Sequence, residues 1–208
     1  MKTLEGKIAV VTGGSGGLGS NISKGLLQAG AAVFIVGGHQ HKVDAAVEAL
    51  SKEGQVEGKV CDVLSKDAVD ALAAEVLEKY GHIDILVNCA GGNVAGANIM
   101  ENQNVWDMKD EDLRKVIDLN LYGTIYPCLA FAKIMAGQKY GSIVNISSMA
   151  AYDSLTRVMG YSVAKTGVIA LTKWLAQEMA IKYSEKIRVN AVAPGFFIGE
   201  QNRAALLN

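Results

Sequence analysis

The chain has 208 residues, of which 50% are hydrophobic, and a formal net charge of −1 from 20 basic and 21 acidic side chains. This length and hydrophobic content suit one compact domain with a sizeable core. The balanced charge argues against a nucleic acid or a membrane surface as a partner, and no apolar run reaches the length of a membrane span. No signal peptide is recognisable, and the three scattered cysteines have no metal-binding spacing, so we expect a cytoplasmic protein without a metal.

The first unit of the chain combines a strand, a glycine-rich turn and a helix. Residues 7–11 form a short apolar run that is typical of a strand buried on both faces of a parallel sheet. The glycine-rich segment 12–19 follows at once and precedes a helical stretch at 20–29. This order predicts a nucleotide-binding turn with a pyrophosphate at the helix N-terminus. Gly13 would permit the tight turn, Gly17 the close approach of the backbone to the pyrophosphate, and Gly19 the close packing of helix and strand.

The end of the second predicted strand, residues 31–36, is where the adenosine ribose would be held. An acidic residue there favours NAD, whereas an arginine favours NADP. This chain has Gly37 and Gly38 instead, followed by the polar segment 39–42. We therefore expect NAD or NADP as the cofactor, with the choice between them left open.

The remaining strands and helices alternate in the same way. The apolar patterns predict strands at 56–60, from 83, at 141–147 and at 187–193, and helices at 42–53, from about 65, at 113–136 and at 161–182. An irregular polar stretch at 94–110 is long for a plain connection and could frame a pocket. The alternation predicts an α/β fold, a single doubly wound parallel-sheet Rossmann domain over residues 1–208, with helices on both faces.

Three polar residues of these elements are candidates for a specific role. Asp62 ends the third strand, where a carboxylate either binds the adenine or caps the next helix. Asn88 belongs to the turn after the fourth strand, where the sheet order can reverse and where open α/β sheets bind ligands. Asn120 lies inside a predicted helix, a poor position for asparagine, so its side chain is expected to have a specific role.

The candidate catalytic residues lie in the segment 147–165. Tyr161 and Lys165 are separated by one helical turn, so their phenol and ammonium groups share a helix face. A nearby positive charge lowers a tyrosine pKa, and a phenol tuned in this way can exchange a proton with an alcohol or carbonyl oxygen. Ser148 follows an apolar strand and could bind the same oxygen. The alternative is a solvated Tyr-Lys pair without a catalytic role.

Together, these motifs resemble the short-chain dehydrogenases/reductases over nearly the whole chain. The resemblance rests on residues 12–19, 88–91, Asn120, Ser148, 161–165 and 194–195. It implies reversible hydride transfer between a nicotinamide and a carbinol carbon, for which the protein supplies orientation and a proton.

The resemblance also implies a role for each catalytic position. Tyr161 would be the general acid/base, and Lys165 would lower its pKa and bind the nicotinamide ribose. Ser148 would hold the substrate oxygen, and Asn120 would hold a water that links Lys165 to solvent. The implied cofactor-binding residues are Gly13, Ser15, Gly17, Leu18, Gly19, Asp62, Val63, Asn88, Ala90, Gly91, Tyr161, Lys165, Pro194, Gly195 and Phe197.

A narrower resemblance connects the chain with the D-mannonate oxidoreductase (fructuronate reductase) branch, whose substrates are sugar acids. It rests on segments 88–93, 147–149, 154–161 and 194–207. A sugar acid needs a cation for its carboxylate, and Arg157, between Ser148 and Tyr161, is the candidate because a guanidinium can bind a carboxylate bidentately. Asn93 and Arg203 are further candidate substrate residues. A surface charge in a loop is the alternative for Arg157.

Two departures from the family pattern concern the C-terminal part. Gly199 stands where the family usually has a threonine that contacts the carboxamide. The family normally continues beyond the position of Asn208 into a substrate-covering segment and a last strand, so we expect a C-terminally incomplete domain. With that segment present, a homo-oligomer, either a dimer or a tetramer, is expected.

Two other functions remain open at this point. One is a reductase of 3-oxoacyl thioesters or other small ketones, whose pocket would be long and apolar and would not need Arg157. The other is a catalytically impaired dinucleotide-binding regulator, although binding alone requires no acid/base tyrosine.

Overall fold

The computed structural model describes residues 3–196, which form one parallel sheet with helices on both faces. The strands are β1 (Ile8–Thr12), β2 (Ala32–Gly37), β3 (Val56–Val60), β4 (Ile85–Asn88), β5 (Gly141–Ile146) and β6 (Ile187–Val192). The α-helices of the described part are α1 (Gly17–Gln28), α2 (Gln40–Leu50), α3 (Lys66–Tyr80), α4 (Asp110–Ile117), α5 (Gly123–Gln138) and α6 (Met159–Lys182). Within this part of the chain, no helix combines the length and apolar character that crossing a bilayer requires.

The strand order is β3-β2-β1-β4-β5-β6, and every neighbouring pair is parallel. This order confirms the predicted doubly wound sheet. Strands β1 to β3 are added towards one edge of the sheet and β4 to β6 towards the other. The strand order therefore reverses between the neighbours β1 and β4, where Thr12 pairs with Asn88. In open α/β sheets the crevice outside the carboxyl ends of the strands at such a reversal is the ligand site.

The core has two layers, one on each face of the sheet. On one face, Ile8 and Val10 of β1 belong to a cluster with residues of α3, α5 and α6, such as Phe131. On the other face, Ala9 and Val11 belong to a cluster with residues of α1 and α2, such as Leu27, Val43 and Leu50. Because both faces are covered, β1 is buried along its whole length, which explains its uninterrupted apolar sequence.

The helix predicted at 113–136 is confirmed as part of a continuous helical run over residues 110–138, but this run is not α-helical throughout. A π-helical turn, Asp118–Tyr122, joins α4 to α5 and contains the buried Asn120. The Asn120 amide donates to the carbonyls of Val116 (2.8 Å) and Gly92 (2.7 Å), and its Oδ1 accepts the Gly92 N–H (3.1 Å). The wider π-helical turn thus accommodates the contact of Asn120 with Gly92, which the pattern of apolar residues does not predict. Other boundaries differ by a few residues, since α2 covers Gln40–Leu50 and α6 begins at Met159.

Candidate active site

A continuous cleft of about 1900 Å³ lies along the carboxyl ends of the strands. It is lined by the loops that follow β1 to β6. Most of the predicted cofactor residues line it, namely Gly13, Ser15, Gly17, Leu18, Gly19, Asp62, Val63, Ala90, Gly91, Tyr161, Lys165, Pro194 and Gly195. Phe197, Gly199 and Arg203 lie outside the described residues.

The turn between β1 and α1 fits a pyrophosphate. Gly13 has a φ of +66°, and a Cβ there would lie 2.7 Å from the Ala90 nitrogen. A Cβ on Gly19 would lie 2.1 Å from the Gly13 oxygen, so its absence allows the turn to close on the first turn of the helix. No side chain caps α1 at its N-cap Gly16, and its first turn has no acidic residue. The first N–H groups of α1 are therefore available to an anion.

The position that usually selects the coenzyme is Gly37, which has no side chain and is closely surrounded by those of Ser15 and Val43. A Cβ on Gly37 would lie 2.4 Å from Ser15 Oγ, so a larger residue at this position would require the Ser15 side chain to move. Gly38 faces open space, and two basic side chains of the following segment line the cleft nearby, those of His39 and Lys42. The determinants present do not select between NAD and NADP.

Asp62 lines the cleft from the loop after β3. Its Oδ1 accepts the N–H of Leu64 (2.9 Å), which fixes the loop after β3. The N-cap of α3 is Ser65, whose Oγ accepts the N–H of Ala68 (3.3 Å). The capping alternative for Asp62 is therefore wrong, and contact with the adenine remains a prediction.

Asn88 lies beneath the second glycine turn and does not line the cleft. Its buried amide donates to Asn145 Oδ1 (2.8 Å) and to Cys128 Sγ (3.1 Å). The prediction that Asn88 lines the cofactor is corrected accordingly, because its side chain supports the turn from the protein interior. Thr12, to which we assigned no separate role, joins the two turns, since its Oγ1 accepts the two backbone N–H groups that follow Asn88 (3.2 Å each).

Helix α6 and the end of β5 bring Ser148, Tyr161 and Lys165 into the cleft. Lys165 Nζ lies 5.5 Å from the centroid of the Tyr161 ring, as expected for residues one helical turn apart. Ser148 is partly exposed beside the phenol, whereas the buried Ser147 donates its hydroxyl to the Lys165 carbonyl (2.9 Å). The two adjacent serines therefore have different tasks: Ser147 secures α6 and Ser148 faces the cleft.

Burial shifts the pKa values of Tyr161 and Lys165. It raises the pKa of Tyr161, while the neighbouring Ser148 hydroxyl acts in the opposite direction. Burial also lowers the pKa of Lys165 to about 8, and its Nζ donates to the Ile146 carbonyl (2.8 Å). The expected lowering of the Tyr161 pKa by Lys165 is not found, because desolvation of the phenolate dominates. At neutral pH the phenol is protonated.

Asn120 and Lys165 both approach Gly91. A Cβ on Gly91 would lie 2.6 Å from Asn120 Oδ1 and 3.4 Å from Lys165 Nζ, so both polar groups lie next to the space that a side chain at this position would occupy. Asn120 is completely buried behind this turn. The proposed water relay from Lys165 through Asn120 remains a prediction.

Two of the predicted substrate residues lie at the mouth of the cleft. Arg157 lines it, and its guanidinium forms an ion pair with Glu101. Asn93 also lines it, with its Oδ1 accepting the N–H of Val94 (3.1 Å). We had not predicted Glu101, since it lies 56 residues from Arg157 in an irregular segment and no local pattern links them.

The chain matches the family model described as short chain dehydrogenase over residues 7–205. The oxidoreductase UxuB of Bacillus subtilis (strain 168) is 34% identical to it over 217 aligned residues, which cover 100% of this chain and 77% of the relative. The 3-oxoacyl-(acyl-carrier-protein) reductase FabG of Chlamydia pneumoniae is 37% identical over 207 residues, which cover 99% of this chain and 79% of the relative.

A solved structure from Haemophilus influenza, named as a D-mannonate oxidoreductase and containing NAD, superimposes with a TM-score of 0.89. It is 31% identical, and the match covers 98% of this chain and 76% of that one. The chain therefore belongs to the short-chain dehydrogenase family and is an NAD(P)-dependent oxidoreductase that acts on alcohol or keto groups.

Proposed function

We propose that the protein interconverts a secondary alcohol and a ketone on a sugar acid of the D-mannonate/D-fructuronate type. The observation that carries this proposal is the position of Arg157, which lines the same cleft as Ser148 and Tyr161. A guanidinium offers a carboxylate two parallel hydrogen bonds and therefore suits an acidic substrate. The similar Haemophilus structure, named for D-mannonate, supports the same substrate class.

The roles of the catalytic side chains follow from their environments. A nicotinamide cofactor, NAD(H) or NADP(H), bound in the cleft would supply or accept the hydride. Ser148 would donate a hydrogen bond to the reacting oxygen of the substrate. Tyr161, whose pKa burial raises above its ordinary value, would give its proton to that oxygen in reduction and take it back in oxidation. Lys165, held by the Ile146 carbonyl, would place its positive charge next to the phenol and stabilise the phenolate that reduction leaves.

The turns around the cleft would supply the contacts with the cofactor. The uncapped N-terminus of α1 and the close approach of Gly13 and Gly19 would hold the pyrophosphate. Asp62 would bind the adenine, and Pro194 and Gly195 would flank the nicotinamide. These contacts would keep the cofactor along the carboxyl edge of the sheet, next to Tyr161.

A second candidate is a reductase of 3-oxoacyl thioesters. It is favoured by the ion pair between Arg157 and Glu101, which leaves the mouth of the cleft without a net charge from these two groups. The apolar side chains of Ile99, Met100 and Leu155 line the cleft beside this pair and could contact an acyl chain. The similarity to FabG points to the same chemistry.

Turnover of two ketones by the purified protein would separate these candidates. D-fructuronate and the uncharged N-acetylcysteamine thioester of acetoacetate would be offered with NADH and with NADPH, while nicotinamide absorbance is followed. For the sugar-acid function we expect turnover of fructuronate, a loss of at least about 100-fold in kcat in Tyr161→Phe, and wild-type turnover in Tyr183→Phe. Tyr183 is an exposed tyrosine just beyond the other end of α6, and its replacement is a matched control.

Arginine replacements test the substrate assignment itself. Arg157→Gln should raise the KM for fructuronate at least about tenfold and leave the KM for the thioester nearly unchanged, because only the former has a carboxylate. Arg188→Gln, on the exposed side of β6, is the control for loss of a positive charge. Turnover of the thioester alone would assign the second candidate, and nucleotide binding without turnover of either ketone would indicate a regulator.

A further inference from the structure

Arg157 has an unusual backbone conformation at the mouth of the cleft. Its φ is +72°, and within residues 3–196 only one other non-glycine residue, Lys139, has a positive φ. Arginine pays a cost for this conformation, so it persists where neighbouring contacts enforce it. The enforcing contact is a backbone hydrogen bond, in which the Ile99 N–H donates to the Arg157 carbonyl (3.0 Å).

This backbone bond joins two segments that frame the cleft. Ile99 belongs to the irregular stretch after β4, and Arg157 precedes α6 and therefore Tyr161. Two residues beyond Ile99, the Glu101 carboxylate accepts a hydrogen bond from Arg157 Nη2. The same pair of segments is thus linked once through the backbone and once through an ion pair between side chains.

The ion pair is exposed to solvent. The exposed fraction of the side chain is 84% for Glu101 and 50% for Arg157. Among the described residues, neither side chain has another ion-pair partner. An exposed pair of this kind is weak, so a competing carboxylate can displace one partner at small cost.

We propose that Glu101 is a specificity-determining residue whose carboxylate competes with the substrate carboxylate for Arg157. This inference rests on the proposed sugar-acid function and deepens it. The substrate would bind by exchanging its carboxylate for that of Glu101, because two carboxylates on one guanidinium would repel each other. The backbone bond with Ile99 would keep Arg157 at the cleft during the exchange.

The competition has a directional consequence for kinetics. Removing the negative charge of Glu101 frees the guanidinium and favours anionic substrates, whereas it gives no corresponding advantage to a neutral ketone. A role of Glu101 in folding alone would predict equal effects on both substrates. The ratio of kcat/KM for D-fructuronate to kcat/KM for the uncharged thioester therefore isolates the competition.

We would measure KM and kcat for both ketones in Glu101→Gln, Glu101→Asp and Glu78→Gln. Glu78 is an exposed glutamate on α3 without an ion pair among the described residues, so it controls for the change in net charge. Glu101→Gln should lower the KM for fructuronate by about two- to fivefold, the range expected for an exposed ion pair. Glu101→Asp and Glu78→Gln should stay close to the wild type.

The double variant Glu101→Gln/Arg157→Gln completes a thermodynamic cycle. With Arg157 absent, replacing Glu101 should no longer change the KM for fructuronate. An unchanged or higher KM in the single variant Glu101→Gln, in an enzyme that reduces fructuronate, would overturn the competition and leave the sugar-acid function standing. If the wild type reduces the thioester but not fructuronate, the sugar-acid function itself fails and the inference fails with it.

Discussion

Lys165 is a charged residue that is almost completely buried. We therefore expect this catalytic candidate to lower the stability of the folded protein. The residue is 4% exposed, and burial lowers its pKa from 10.5 to about 8. That difference corresponds to roughly 3 kcal/mol of destabilisation when the lysine is charged in the folded protein. The hydrogen bond to the Ile146 carbonyl offsets part of this cost.

We therefore expect Lys165→Met to be more stable than the wild type at pH 7, by roughly 2 kcal/mol, and to lose catalysis. The folded protein holds this proton less tightly than the unfolded chain, so wild-type stability should rise as the pH increases from about 8 to 10.5. The advantage of the variant should shrink over that range. Urea unfolding at several pH values would measure it.

Lys173→Met is the matched control for this experiment, because Lys173 is an exposed lysine of the same helix. It should show neither the gain at pH 7 nor its decline at higher pH. A Lys165→Met protein that is less stable than the wild type at pH 7 would contradict the assigned cost of burial.

At the residue scale, local spacing predicted the parts of the site that are local. Tyr161 and Lys165 share a face of α6 because they are one turn apart, and Ser148 lies two residues after the end of β5. The partner of Arg157 could not be predicted in this way, since Glu101 reaches it only through the tertiary fold. The direction of the Tyr161 pKa was also missed, because burial is a property of the folded protein.

At the scale of a single element, two of the three glycines of helix α1 have opposite expected responses to alanine. A Cβ on Gly19 would lie 2.1 Å from the Gly13 oxygen, whereas a Cβ on Gly25 would meet no atom within 4 Å. Gly19→Ala should therefore force the turn open, and we expect NADH affinity to fall at least about tenfold. Gly25→Ala should raise the free energy of unfolding by about 0.5–1 kcal/mol through helix propensity alone.

The two variants serve as each other's controls. Fluorescence titration with NADH and denaturant unfolding would be applied to both, and Gly25→Ala should bind NADH like the wild type. Wild-type NADH affinity in Gly19→Ala would show that the close approach at this turn is not needed for binding.

The elements themselves were predictable where a strand or helix is defined by its own sequence. The apolar runs located all six strands of the described sheet, and the glycine turn after β4 indicated the reversal of strand order. The π-helical turn between α4 and α5 was not predictable, because its buried Asn120 forms hydrogen bonds with Gly92, which lies 28 residues away in the sequence. A poor helix-forming residue in mid-helix was the only local sign of it.

At the scale of the whole molecule, the cleft joins the two halves of the sheet. Gly13 and Asp62 line it from the side of β1 to β3, whereas Ser148, Tyr161 and Pro194 line it from the side of β4 to β6. A ligand that spans the cleft binds only when both halves are folded. Its binding free energy should therefore stabilise both halves together.

Native-state hydrogen exchange with NADH at about 100 times its Kd would test this linkage. The slowest amides of β1 and of β5 should both be protected further by about 100-fold, which corresponds to about 2.7 kcal/mol. Gly19→Ala should bind NADH more weakly, so at the same NADH concentration the added protection should be much smaller. This loss of protection should appear in both strands, although the substitution lies at only one end of the cleft. Added protection confined to β1 would mean that the two halves open independently, and the nucleotide would then stabilise its own turn rather than the domain.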